Sequence, residues 1–220
     1  MPTPKTLLIS GGSRGIGRAT ALAAAKEGWQ VAITYHSDAA AAAQTVDAIT
    51  AAGGKAIALQ GDTASEADVI RNFKETLDEF GSLHAVVVNA GIVAVGSKLA
   101  DMPLERLQKM VNTNVLGALL FAREAARHLP NYCQEDGGSI VLISSAAARL
   151  GAPFEYVDYA ASKGSIDTLT LGLSKELAPQ NIRVNAIRPG LIDTEIHASG
   201  GQPDRAIRLG QTAPLGRPGT

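Results

Sequence analysis

The chain has 220 residues, a formal net charge of -1 and a single cysteine. This length suits one domain over residues 1–220, and the near-zero charge gives no electrostatic case for nucleic acid or an anionic membrane as partner. The lone Cys133 excludes an internal disulfide and favours a cytoplasmic protein. The apolar stretches are too short to span a membrane, and the first residues lack the form of a secretory signal.

Short β-branched runs alternate along the chain with helix-length segments. Strands are predicted at Thr6–Ser10, Val31–Tyr35, Ala56–Gln60, Leu83–Asn89, Ser139–Ser144 and Ile182–Ile187. Helices are predicted at Gly15–Glu27, Ala39–Ala52, Ser65–Phe80, Pro103–Leu129 and Phe154–Ala178. Candidate helix caps are Asp38, Asp101 and a capping box formed by Thr63 with Glu66. Most strand runs are apolar on consecutive residues, as strands buried on both faces require, so the order predicts an α/β fold with a doubly wound parallel (Rossmann) sheet.

A glycine-rich loop, Ser10–Gly17, joins the first predicted strand to the first helix. Gly11 permits a tight turn, Gly15 lets the backbone approach a pyrophosphate, and Gly17 lets the helix pack closely on the strand. The start of the helix offers free N–H groups and the positive end of a dipole. The loop therefore predicts a phosphate site. Its spacing, G-x-x-x-G-x-G, differs from the G-x-G-x-x-G of the larger dinucleotide-binding dehydrogenases.

Tyr159 and Lys163 lie four residues apart in a predicted helix, so their side chains share one helical face. A free phenol has a pKa of about 10 and is a poor proton shuttle at neutral pH. A neighbouring ammonium favours the phenolate and moves that pKa toward the working range. A tyrosine so placed gives a proton to a carbonyl oxygen or takes one from an alcohol.

The glycine spacing and the Tyr159–Lys163 pair together resemble the short-chain dehydrogenases/reductases of the compact single-domain type. Further motifs extend the resemblance over the whole chain, namely Asp62, Asn89-Ala90-Gly91, Asn114 with Gly117, Ser145, and Arg188-Pro189-Gly190 with Thr194. Asn112 and Ser144 remain alternatives to Asn114 and Ser145. Asp62 has a second interpretation as a cap of the turn before Ser65. Tyr156 lacks a partner lysine and is interpreted as lining of the substrate pocket.

The resemblance implies hydride transfer between a nicotinamide cofactor and a carbonyl or secondary alcohol. The catalytic residues it implies are Asn114, Ser145, Tyr159 and Lys163. Ser145 would donate a hydrogen bond to the reacting oxygen, and Tyr159 would deliver the proton. Lys163 would lower the pKa of Tyr159 and hold the ribose hydroxyls. Asn114 would fix a water that links Lys163 to solvent.

The end of the second strand predicts the choice of cofactor, because a carboxylate there binds the ribose of NAD and repels the 2′-phosphate of NADP. Tyr35 stands at that point, and the guanidinium of Arg14 is available for a 2′-phosphate. Asp38 is the counter-evidence, but a helix cap explains it better. The sequence therefore favours NADP over NAD. The cofactor-binding residues implied are Gly11, Ser13, Arg14, Gly15, Ile16, Gly17, Tyr35, His36, Ser37, Asp62, Asn89, Ala90, Gly91, Tyr159, Lys163, Pro189, Gly190 and Thr194.

The substrate class stays open among 3-oxoacyl thioesters, small ketones and sugars. A catalytically idle nucleotide-binding scaffold is the alternative, and it would be expected to lack Ser145, Tyr159 or Lys163. The histidines show no paired spacing of the kind found in metal sites, so the sequence does not indicate a metal site. Homodimers or homotetramers are implied by the resemblance.

The last 30 residues, Leu191–Thr220, contain no strand-like run. Similar family members continue with a further helix and a seventh parallel strand. The expectation is a truncated form with six strands, an uncovered edge at Ile182–Ile187, lowered stability and a mobile loop over 191–220.

Overall fold

The computed structural model describes residues 4–133 and 137–220. Its strands are β1 (Thr6–Ile9), β2 (Gln30–Tyr35), β3 (Ala56–Gln60), β4 (Ala85–Val88), β5 (Gly138–Ile143) and β6 (Ile182–Ile187). Its α-helices are α1 (Gly15–Lys26), α2 (Ala39–Ala51), α3 (Glu66–Phe80), α4 (Leu104–Val111), α5 (Gly117–His128), α6 (Ala147–Leu150), α7 (Val157–Leu177), α8 (Ile196–Ser199) and α9 (Arg205–Gly210).

The six strands form one parallel sheet in the order β3-β2-β1-β4-β5-β6. At its centre, Leu8 of β1 lies between Ala32 of β2 and Val86 of β4. This confirms the predicted α/β fold and parallel sheet. The strand order reverses between β1 and β4, and in such sheets the ligand cleft lies at the carboxyl ends of the strands on either side of the reversal. The loops after β1 and β4 are therefore neighbours.

Consecutive apolar residues in the strands are explained by two separate hydrophobic cores, one on each face of the sheet. Leu8 packs on the face covered by α3, α5 and α7, together with Phe73 and Phe121. Leu7 and Ile9 pack on the opposite face, under α1 and α2. Because side chains alternate along a strand, a run that is apolar throughout fills both cores.

The segment predicted as one helix over Pro103–Leu129 is helical almost throughout, but it is not uniform. Between α4 and α5 lies a five-residue π-helical turn, Asn112–Leu116. A π turn adds a residue to the local repeat and changes the direction of the side chains that follow. It carries one of the predicted catalytic residues, Asn114.

The helix caps follow the sequence expectations only in part. Asp38 caps α2, since its carboxylate accepts a hydrogen bond from the N–H of Ala41. The capping box at Thr63 is wrong, because α3 begins later and Ser65 is its N-cap. The cap at Asp101 is also wrong, since that residue lies in a short 3₁₀ helix and α4 begins only at Leu104.

The segment 191–220 contains no strand, and only an isolated parallel bridge joins Ile192 to Gly219. It is not the continuous loop that was expected, because α8 and α9 lie within it. β3 and β6 form the two edges of the sheet. In the part of the chain described above, no helix combines the length and apolar character needed to cross a membrane.

Candidate active site

The glycine-rich loop after β1 takes the tight path that its glycines allow. Gly11 and Gly15 have φ angles of +67° and +52°, in the left-handed region that favours glycine. A Cβ on Gly17 would lie 2.3 Å from the carbonyl oxygen of Gly11 and 2.6 Å from Nδ2 of Asn89. Only glycine allows α1 to start this close to the loop.

Asn89, directly after β4, holds the glycine-rich loop in place. Its Nδ2 donates to the carbonyl oxygens of Ser10 and Gly11 at 2.9 and 2.8 Å. In return, Ser10 Oγ accepts from the backbone N–H groups of Asn89 and Ala90 at 2.9 and 3.0 Å. These four bonds join the carboxyl ends of β1 and β4 at the point where the strand order reverses.

The first turn of α1 fits a bound pyrophosphate. Arg14 occupies the N-cap position, and its side chain makes no capping bond and so leaves the first N–H groups of the helix available to a ligand. A Cβ on Gly15 would lie 3.5 Å from Cβ of Thr194, which places the loop after β6 opposite the glycine-rich loop. Pro189 anchors that loop to the end of β5, because its carbonyl accepts from the N–H of Ala146 at 2.9 Å.

The end of β2 and the two residues after it carry no carboxylate of their own. Tyr35 is half-buried, while His36 and Ser37 are exposed. The Arg14 side chain is exposed, and its guanidinium has no hydrogen-bond or ion-pair partner within residues 4–133 and 137–220.

Asp62, after β3, serves the turn that leads into α3. Its carboxylate accepts from the N–H of Ala64 at 2.9 Å and lies 4.0 Å from Nε2 of His36. The turn-capping interpretation of Asp62 is therefore correct for this conformation. Asp62 lies beside the end of β2.

Tyr159 lies in the first turns of α7, facing the end of β5. Burial raises the pKa of its phenol, whereas a hydrogen bond with Ser145 and the charge of Arg205 lower it. Ser145 is half-buried, and its Oγ accepts from the N–H of Ala147 at 3.1 Å. The Tyr159 phenol therefore lies within electrostatic reach of the Ser145 hydroxyl.

Ser144 faces away from this site. Its buried hydroxyl has one proton to donate and lies 2.8 Å from Oδ1 of Asp167 and 3.1 Å from the carbonyl oxygen of Lys163. Asp167 in turn pairs with Arg188, at the start of the loop after β6. Ser144 thus ties β5, α7 and β6 together, and Ser145 is the serine left beside Tyr159.

Lys163 is buried behind Tyr159. Its Nζ donates to the carbonyl oxygen of Ile143 at 2.6 Å and lies 5.8 Å from the centre of the Tyr159 ring. Burial lowers the pKa of Lys163 to about 8. The sequence predicted that this ammonium lowers the pKa of Tyr159, yet the net direction for Tyr159 is upward, because loss of hydration is the largest influence on the phenol.

Asn114 is buried in the π turn, whereas Asn112 is exposed. The Asn114 amide makes a reciprocal pair with the backbone of Ile92, accepting at 2.8 Å and donating at 3.0 Å. Its Nδ2 also lies 3.1 Å from Oγ of Ser162 on α7. A Cβ on Gly91 would lie 3.4 Å from both Asn114 Oδ1 and Lys163 Nζ, so these two side chains flank Gly91.

Two arginines contribute to the site that were not predicted from the sequence. Arg106 of α4 forms a buried ion pair with Asp158, the residue before Tyr159. Arg205 of α9 pairs with Glu155 at 3.0 Å and stacks over the ring of Tyr156 at 5.1 Å. No sequence spacing connects residues this far apart; only the position of Asp158 next to Tyr159 offered a hint.

Tyr156, interpreted in the sequence as lining of the substrate pocket, packs beside the start of α7. It is buried, and its hydroxyl accepts from Nε2 of Gln202 at 3.2 Å. With Arg205 it holds the segment between α8 and α9 against the start of α7. The wall of the cleft beside Tyr159 is therefore built partly from residues after β6.

Comparison with known families and structures agrees with this geometry. Residues 5–204 match the family described as short chain dehydrogenase. The chain belongs to the short-chain dehydrogenase/reductase family. It is accordingly an NAD(P)-dependent oxidoreductase.

Relatives within the family carry different names. The chain is 49% identical over 212 residues to "Uncharacterized oxidoreductase YgfF" of Escherichia coli, covering 96% of this chain and 86% of that protein. It is 36% identical over 193 residues to "Glucose 1-dehydrogenase 2" of Bacillus subtilis, covering 88% and 74%.

Two solved structures of the family contain nucleotide. A short chain dehydrogenase from Burkholderia cenocepacia in complex with NADP has a TM-score of 0.85 at 35% identity, with 98% of this chain and 84% of that chain covered. A 3-ketoacyl-(acyl-carrier-protein) reductase from Brucella melitensis complexed with NADH has a TM-score of 0.89 at 29% identity, with 97% and 84% covered. The fold is thus shared by proteins that bind either nucleotide.

Proposed function

We propose that this chain reduces a carbonyl group, or oxidises the matching secondary alcohol, with Tyr159 as the proton donor or acceptor. The observation that carries the proposal is the position of the Tyr159 phenol, which lies within electrostatic reach of Ser145 and has its ring centre 5.8 Å from Nζ of the buried Lys163. Near these side chains lie the first turn of α1, which fits a pyrophosphate, and the loop after β6. A bound nicotinamide supplies or accepts the hydride.

The side chains divide the remaining chemistry among them. As negative charge develops on the substrate oxygen, Ser145 donates a hydrogen bond to it. Tyr159 transfers its phenolic proton to the same oxygen, or removes that proton in the oxidation direction. Lys163 lies behind the phenol and holds the ribose hydroxyls. Asn114 Oδ1 keeps a free lone pair that can hold a water next to Lys163.

We propose NADP(H) as the preferred cofactor. The support is the exposed Arg14 guanidinium, which has no partner in the described residues, together with the absence of a free carboxylate at Tyr35, His36 and Ser37. Asp38 is engaged as the cap of α2. The arrangement suits a 2′-phosphate better than a bare ribose 2′-hydroxyl.

The proposed substrates are 3-oxoacyl thioesters, small ketones or sugars. The names of the Brucella reductase and the Bacillus glucose dehydrogenase support these classes without choosing between them. A catalytically idle nucleotide-binding scaffold is disfavoured, because Ser145, Tyr159 and Lys163 are all present and adjacent.

We further propose that the chain self-associates as a homodimer or homotetramer. Large apolar side chains are exposed along α4, α5 and α7, including Leu104, Val111, Leu119 and Leu171. Such a face is suited to a symmetric interface between two copies. Sedimentation velocity tests this, and a monomer at micromolar concentration contradicts it.

A panel assay tests the substrate and cofactor assignments. The purified protein is mixed with NADPH or NADH and, separately, S-acetoacetyl-N-acetylcysteamine, ethyl acetoacetate, D-xylose and cyclohexanone, and the absorbance of the reduced cofactor is followed. The reverse direction uses NADP⁺ with D-glucose or cyclohexanol. Turnover of at least one pair, faster with the phosphorylated cofactor, is expected. Tight cofactor binding without turnover of any pair favours the idle scaffold.

A further inference from the structure

Two polar contacts join α7 to the helical segment that contains α4 and the π turn. Arg106 pairs with Asp158, and Asn114 contacts Ser162. Asp158 and Ser162 are four residues apart, so they lie on one face of α7. Tyr159 and Lys163 are the next residue after each of them. The contacts therefore fix the rotation of α7 about its own axis at the two turns that carry the proposed catalytic pair.

Arg106 makes the more extensive of the two contacts. Its Nε and one terminal nitrogen bind the two carboxylate oxygens of Asp158 at 2.8 and 3.1 Å. The terminal nitrogen that binds Asp158 also donates to the carbonyl oxygen of Glu155 at 3.4 Å, and the other terminal nitrogen donates to the carbonyl oxygen of Val95. One guanidinium thus holds the loop after β4, the approach to α7 and the first turn of α7.

The ion pair between Arg106 and Asp158 is almost completely buried. The Arg106 and Asp158 side chains are only 11% and 3% exposed. Removing two charges from water costs free energy that their attraction often fails to recover, and apolar residues of similar volume frequently serve stability as well or better. A buried pair whose arginine also binds two backbone carbonyls is better explained by the geometry that it imposes than by the stability that it adds.

We propose that Arg106 is a positioning residue for Tyr159: through Asp158 it sets the first turn of α7 so that the Tyr159 hydroxyl meets Ser145. This rests on the proposed role of Tyr159 as the proton donor. Loss of the pair leaves the Asn114–Ser162 contact in place, so α7 stays attached while its first turn shifts. A displacement of about 1 Å at the hydroxyl is enough to reduce turnover by up to about 100-fold.

The test is the double variant Arg106→Met/Asp158→Met, which removes both charges and puts flexible apolar side chains in their place. Steady-state kinetics use the pair from the panel that the wild-type protein turns over fastest. The expected result is a fall in kcat of about 10- to 100-fold, which is the size of effect that such a misplacement produces. The KM for the cofactor is expected to stay within about twofold of wild type. A crystal structure of the double variant is expected to show the Tyr159 hydroxyl displaced from Ser145. This readout needs no substrate.

A matched control is Arg123→Met/Glu124→Met, which removes another arginine pair with a buried carboxylate on the same layer of helices. It is expected to keep kcat within about twofold. Arg106→Lys keeps the charge but loses the planar fork, and a smaller fall in kcat than in the double variant is expected. A folded double variant with unchanged kcat, or with the hydroxyl within about 0.5 Å of its wild-type position, overturns the proposal. Failure of both the double variant and Arg106→Lys to fold also overturns it, because the pair then serves the fold.

Tyr159→Phe, measured in parallel, separates this inference from the proposed function. If Tyr159→Phe keeps wild-type turnover, the role of Tyr159 fails, and this inference fails with it. If Tyr159→Phe is inactive while the double variant keeps its kcat, only the positioning role of Arg106 is wrong.

Discussion

The Asp38 carboxylate accepts a hydrogen bond from the backbone N–H of Ala41 at 2.9 Å, which makes it the N-cap of α2. It is the first acidic residue along the chain after the end of β2, where an acidic residue would select NAD. Its engagement with the helix, together with the free Arg14, is the basis for the cofactor assignment.

Asp38→Ala is expected to lower the free energy of unfolding by about 1 kcal/mol, because one N–H at the start of α2 loses its acceptor. The ratio of the KM values for NADPH and NADH is expected to stay unchanged. Asp38→Asn is the matched control, since asparagine also caps helices. Urea denaturation and cofactor kinetics measure the two effects. A large gain in NADPH preference in Asp38→Ala contradicts the capping account, since it means that the carboxylate contacts the ribose and discriminates between the two cofactors.

Arg14→Ala is expected to weaken NADPH binding by about 10- to 100-fold, the usual range for a lost hydrogen bond to a charged group. NADH binding is expected to change little, because NADH lacks the 2′-phosphate. Fluorescence titration with each cofactor measures both constants. Arg18→Ala removes another exposed arginine of α1 and serves as the control. Equal losses for both cofactors in Arg14→Ala contradict the assignment.

The buried Lys163 makes stability depend on pH in a defined direction. Its folded-state pKa is about 8, against an ordinary value of 10.5. Between these values the unfolded chain holds a proton that the folded chain has released, so the free energy of unfolding rises with pH. From pH 7 to pH 10 the expected gain is on the order of 2–3 kcal/mol relative to Lys163→Met.

Urea denaturation of the protein without added cofactor, at several pH values, measures this difference. Subtracting the Lys163→Met curve removes the contributions of the other titrating groups. The range ends at pH 10 because burial raises the pKa of Tyr159, which acts in the opposite direction above that pH. Parallel curves for the two proteins refute a buried, easily deprotonated Lys163.

The sheet was predictable because its strands are marked by local pattern. Runs such as Val31–Tyr35 are apolar on both faces, and only a strand between two layers of helices accommodates that. The ends of the elements were less predictable. Leu83 is fully buried but precedes β4, and Phe154 has a φ of +67° and precedes α7. Apolar character alone does not distinguish a strand from a buried residue beside it.

The functional residues also differ in whether a local pattern in the sequence marks them. The positions of Tyr159, Lys163 and the glycine-rich loop follow from short spacings within one or two elements. The contact between Arg106 and Asp158 joins residues 52 apart, and no local pattern encodes it. The direction in which the Tyr159 pKa shifts was also not predictable from the sequence, because it depends on how deeply the packed structure buries the phenol. The π turn at Asn114 lacks a sequence signal of its own.

The most direct test of the central claim compares Tyr159→Phe with Tyr156→Phe, two substitutions that each remove one phenolic hydroxyl near the start of α7. If Tyr159 transfers the proton, Tyr159→Phe lowers kcat by at least ~100-fold while NADPH still binds, and Tyr156→Phe stays within about tenfold of wild type. Near-normal turnover by Tyr159→Phe, with the cofactor bound and the protein folded, would contradict the account.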